Sequence, residues 1–117
     1  MTERGLALVF LDPTSIETEA EFNEWFDGIH LDEVLGVEGI VAGARFRRVD
    51  VPTAWSPVEQ QYLTLLEVEA DDIAAVAAAL RAASSGMVQS DAVAKEPKPA
   101  VMWFREQAPR RKARPAS

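Results

Sequence analysis

The stretch "EFNEWFDGIHLDEVLGVEGI", from Glu21 to Ile40, holds the only histidine of the chain, His30. An imidazole has a reference pKa of about 6.5, so it takes and returns protons near neutral pH. Asp27 and Glu33 each stand three residues from it. On a helix that is one turn, close enough for a carboxylate to orient the ring or raise its proton affinity. A carboxylate-oriented imidazole facing a pocket is the pattern of a general base, with His30 and Asp27 as the catalytic pair. The competing role is structural, because a histidine near a helix end also satisfies orphan carbonyls. The residues alone leave both open.

Groups that could hold a small molecule lie nearby in sequence and beyond. Phe22, Trp25 and Phe26 suit either a core or the wall of a ligand site. Arg45 and Arg47 flank Phe46, so on a strand both share one face. Facing a pocket they would hold a carboxylate, phenolate or enolate through charge-assisted hydrogen bonds; near the strand end they would be solvated. Tyr62 and Trp103 are candidates for a cavity wall, with the Tyr62 hydroxyl as a donor to a substrate oxygen. Arg105 reads as a strand-end charge.

Several chemistries have no support. There is no cysteine, which excludes disulfides, thiolate metal sites and cysteine nucleophiles. A single histidine gives no tetrahedral nitrogen or sulfur set, and Asp27, Asp32 and Glu33 read as helix-surface acids rather than a hard-cation site. No glycine-rich phosphate loop or dinucleotide fingerprint occurs, and no serine or lysine sits in a nucleophile motif. Neither a metal nor a cofactor is expected.

The elements that must position these residues follow from periodicity. Residues 4–12, "RGLALVFLD", read as a strand apolar on both faces and ended by Asp12-Pro13. Thr18 reads as a helix N-cap, with Glu21 completing a capping box. Phe22, Trp25, Phe26 and Ile29 then make one apolar helical stripe. Gly28 predicts a break or bend in that helix, because glycine costs roughly 1 kcal/mol there relative to alanine. Residues 39–49 predict a second strand, followed by a proline-containing loop with an exposed Trp55. Residues 61–69 predict a third strand and 100–106 a fourth. Between them, the alanine-rich run 71–84 predicts a thin-sided helix, opened by two aspartates that suit the positive end of its dipole.

The order β-α-β-β-α-β predicts an α+β, ferredoxin-like fold: a four-stranded antiparallel sheet with both helices on one face. Tyr62, Leu66, Trp103 or Phe104 would then fall on the uncovered side. A large exposed apolar sheet face marks an interface, so two sheets packed face to face are expected, forming a homodimer with a pocket in each subunit.

Length and charge agree with this picture. The 117 residues suit one domain, 1–108, followed by a basic and disordered tail, 109–117. Four of the 12 bases fall in the last nine residues, leaving eight bases against 19 acids, a body of −11. Such a body repels phosphate backbones, so nucleic-acid binding through the folded domain is not expected. "GLALVFL" is seven residues long, far short of the roughly 20 that cross a membrane, and no cleavage pattern follows it. A cytoplasmic protein with no membrane association is expected.

The stretch "FNEWFDGIHLDEVLGVEGIVAGARF" resembles the dimeric α+β barrel superfamily, in particular its EthD-like family. Trp25, Phe26, Asp27, His30, Gly39, Ile40, Arg45 and Phe46 stand at the positions of that family's helix motif and its entry into strand 2. "QYLTLLEVEADDIAAVAAAL" is similar to the family's third strand and second helix, so the resemblance spans roughly residues 5–105. Phe26 replaces a tyrosine common at that position. The resemblance implies a small enzyme doing cofactor-independent acid–base chemistry, such as cyclisation, dehydration, isomerisation or another lyase step, on a hydrophobic oxygenated molecule. The alternatives to this leading reading are a non-catalytic dimeric ligand-binding or accessory protein and a cofactor-free monooxygenase of an aromatic substrate.

Overall fold

Strand β1 (Glu3–Phe10) lies inside a four-stranded antiparallel sheet, with β3 (Tyr62–Ala70) on one side and β4 (Ala100–Arg105) on the other. Strand β2 (Ile40–Arg47) pairs with β3 at the far edge, giving the order β2-β3-β1-β4. The computed structural model of the protein describes residues 1–115. The architecture is the expected α+β, ferredoxin-like one. Among the described residues no helix is long and apolar enough to cross a membrane. The tail expected at 109–117 ends in two residues that lie outside the described ones, and 106–115 carry no helix or strand.

The first helical region runs in three pieces: α1 (Glu19–Trp25), a single π-helical turn (Phe26–His30) and α2 (Leu31–Leu35). The break expected at Gly28 is this wider turn, in which the Leu31 N–H reaches back five residues to the Phe26 carbonyl. The capping box expected from Thr18 and Glu21 does not form. A 3-10 turn (Ile16–Thr18) starts the region earlier, and the Thr18 hydroxyl instead accepts from the Ser15 N–H at 3.1 Å. Helix α3 (Ile73–Ser84) is capped as its aspartates suggest, the Asp72 carboxylate accepting from the Ala74 N–H at 3.0 Å.

Gly39 makes the entry into β2 possible. Its φ of +96° is unfavourable for any residue with a side chain, and a Cβ there would stand 2.5 Å from Val76 Cγ2. The pairing then slips between Ile40 and Ala42, and beyond the slip Gly43, Arg45 and Arg47 pair with Leu66, Thr64 and Tyr62.

The helices cover one sheet face. Ala7, Leu66 and Val68 are buried there with Val34, Ile40, Ile73 and Val76, and a second cluster joins Phe22, Phe26 and Ala92. Full burial of a side chain such as Phe22 contributes about 1.5–3 kcal/mol. Sidedness departs from expectation at three residues. Tyr62, Leu66 and Trp103 belong to the helix-covered side: Ala7, which is buried, pairs with both Leu66 and Trp103, and paired residues share a face. Phe104 does lie on the uncovered face, exposed together with Leu6, Phe46 and Met102. Because these strands are apolar on both faces, hydrophobicity alone did not define which side meets the helices.

Candidate functional site

A cavity of about 660 Å³ opens between the sheet and the helices. Its floor is Val9, Thr64, Leu66, Val101 and Trp103; one wall comes from Phe26, His30 and Val34, the other from Ala77, Ala78, Leu80, Arg81 and Met87. The volume falls within the range of small-molecule sites. It exists because α3 presents alanine methyls at 77 and 78, where a larger side chain would fill the space.

The π turn brings His30 to this wall. Its ring stacks on Trp25, centroids 4.5 Å apart and planes 19° apart, and meets the Phe26 ring edge-on at 5.0 Å. Trp25 is itself fixed, because its indole N–H donates to the Val88 carbonyl at 3.0 Å. His30 Nδ1 is buried and has no hydrogen-bond partner. Burial lowers the imidazole pKa, Arg45 lowers it further, and Glu33 opposes them. The ring is therefore neutral at pH 7, with a nitrogen uncommitted to any protein group.

The carboxylates do not sit where helical spacing predicts. Asp27 Oδ1 accepts from Arg45 Nη1 at 2.8 Å, so the expected partner of His30 is engaged elsewhere. The wider turn changes the angular relation between residues 27 and 30, and β2 brings a guanidinium within reach of Asp27. Glu33 accepts from the Val88 N–H at 3.2 Å. Trp25 and Glu33 thus clamp one short segment behind the histidine wall.

Arg45 lies under α1 and the π turn, outside the cavity lining. Its side chain is 12% exposed, and Nε and Nη2 have no hydrogen-bond partner. The guanidinium carbon stands 4.2 Å from the Phe26 ring centroid, and rings contribute roughly 0.5–2 kcal/mol in such contacts. Its ion pair contributes less, since Asp27 is 64% exposed. Arg47 shares that sheet face and approaches Glu19. The Tyr62 hydroxyl donates to Glu19 Oε1 at 2.7 Å and accepts from Asn23 Nδ2 at 3.3 Å. Burial and Glu19 raise its pKa, so it stays an O–H donor committed within the protein. Phe22 is core, Arg105 pairs with Glu3, and only Phe26, His30 and Trp103 of the anticipated residues line the cavity.

Residues absent from that anticipation also line it. Thr64, 4% exposed, puts a hydroxyl-bearing side chain on the floor, and Arg81 brings a cation. Arg81 had a visible signal, being the only charged residue in α3. Among the described residues, no group of three acidic or histidine side chains is arranged to hold a metal ion.

This is the EthD-like α+β fold. An EthD family protein from Bacillus halodurans is 21% identical at a TM-score of 0.56, over 88% of this chain and 99% of that one. HapK from Hahella chejuensis is 15% identical at a TM-score of 0.53, over 98% of this chain and all of that one. No protein-family model matches the sequence, and no curated protein matches it either.

Proposed function

We propose that the protein is a small cytoplasmic enzyme of EthD-like type that performs cofactor-independent proton chemistry on a hydrophobic, oxygen-bearing molecule held in the cavity. The observation that carries this reading is the His30 imidazole, its pKa lowered by burial, at the wall of an apolar chamber. In this reading the imidazole takes a proton from a carbon beside a carbonyl and returns it to the rearranged product. Removal from bulk water strengthens each polar contact to the developing enolate, and Thr64 lies on the same floor to meet it. Trp25 and Phe26 hold the ring in place, the role first anticipated for Asp27.

The reading includes a homodimer formed through the uncovered sheet face. Leu6, Phe46, Met102 and Phe104, all exposed on one face, support it, because a monomer rarely leaves such a patch in water. The body charge of −11 left by the eight bases and 19 acids outside the tail favours a small-molecule partner over nucleic acid.

A test that requires no knowledge of the natural substrate is deuterium exchange at the acidic carbon of an apolar ketone such as tetralone, followed by NMR in heavy water. The wild-type protein accelerates exchange, and His30→Ala lowers the acceleration by about 10²- to 10⁴-fold. A ketone that binds but exchanges at the same rate with either protein would leave a ligand-binding protein in place of an enzyme.

A further inference from the structure

Six arginines precede the tail, and five of them meet a carboxylate: Arg4 with Glu69, Arg45 with Asp27, Arg47 with Glu19, Arg48 with Asp50 and Arg105 with Glu3. Arg81 does not, and its guanidinium donates to no group among the described residues. In a chain of 19 acids and 12 bases, a surface arginine finds a carboxylate easily. This one stands in the last turn of an alanine helix with no acid one turn to either side, at Ala77, Ala78, Ser84 and Ser85. It is exposed, yet it also lines the cavity, where it is the only side chain with a fixed charge.

From this arrangement we infer that Arg81 is the specificity-determining residue of the cavity, and that the molecule bound there is an apolar carboxylic acid. Its hydrocarbon or ring portion lies against Trp103 and Met87, and its carboxylate meets the guanidinium at the rim. The planar fork of arginine matches a carboxylate through two parallel hydrogen bonds, and apolar walls beside it weaken competition from water. The alanines at 77 and 78 serve the same end, leaving the room that lets an apolar body pass the arginine. This assignment rests on the cavity being the ligand site proposed above and adds the class of ligand.

Calorimetric titration of the full chain with naphthylacetate and its uncharged counterpart naphthylethanol tests it. The acid binds about five- to tenfold more tightly than the alcohol, an increment between that of an exposed ion pair and a charge-assisted bond in an apolar setting. Arg81→Gln removes the preference for the acid over the alcohol, whereas Arg81→Lys keeps part of it. Equal binding of both probes to the wild type, or an undiminished preference in Arg81→Gln, overturns the assignment. Naphthylethanol reports on the cavity alone: if it binds while the acid gains nothing, the arginine role falls and the cavity reading stands. If neither probe binds, both fall.

Discussion

Trp25 and His30 lie face to face at 4.5 Å although they stand five positions apart in the chain. A regular α-helix turns about 100° per residue, which would set residues five apart about 140° away from each other around the axis. The π turn at Phe26–His30 adds one residue to the circuit and carries position 30 round to the face of position 25. One inserted residue thus separates a surface histidine from one at a cavity wall.

The first prediction concerns the protonation of that ring. Burial and Arg45 place its folded-state pKa below the unfolded value of about 6.5. Protons then bind more tightly to the unfolded chain, so the stability contribution of His30 is complete above about pH 6.5 and is lost as the pH falls through the folded-state pKa. The single histidine gives one resolved set of imidazole NMR signals, and their midpoint is expected below that of a histidine peptide. A midpoint above it would contradict the burial described for the ring.

Replacing Arg45 should raise that midpoint, because its charge disfavours protonation of His30. Arg45→Met also removes two buried groups, Nε and Nη2, that have no partner. An apolar side chain of similar length is expected to change stability by less than about 1 kcal/mol, measured by urea unfolding. Asp27→Ala leaves the guanidinium buried without a counter-ion and should cost more.

The two glycines around the helical region should respond in opposite ways. A Cβ at Gly28 meets nothing within 4 Å, so Gly28→Ala is expected to stabilise by about 0.4–1 kcal/mol through the unfolded chain. Gly39→Ala must accept both a positive φ and a clash with Val76, and should lower the urea midpoint clearly.

Light scattering on the purified chain checks the association proposed for the sheet face. Wild type is expected at twice the chain mass and Phe104→Glu at the single-chain mass, since Phe104 is exposed on that face and its charged replacement would be buried by association.

The sequence made the succession of elements plain, because each strand and helix carries its own periodicity and ends at a proline, a glycine or a capping aspartate. It also marked Gly28 as a disturbance, though not the form the disturbance takes. Which face of β3 and β4 meets the helices was hidden, since Leu63, Leu65 and Leu66 look alike until the pairing with Ala7 is known. The partner of Asp27 was hidden for a similar reason: Arg45 lies 18 residues away and reaches it only through the registration of β2 against β3. Arg81 stood out as a lone charge among alanines, but its place beside a cavity depends on the packing of α3 over β1, β3 and β4.

Trp103 and Val101 belong to the last strand of the fold, and that strand is held by β1 alone, the first to be made. Until β4 adds to β1, the chamber lacks the part of its floor that Val101 and Trp103 form. A chain cut short before Ala100 would keep every helix and three strands, and would hold a guest over Val9, Thr64 and Leu66 alone.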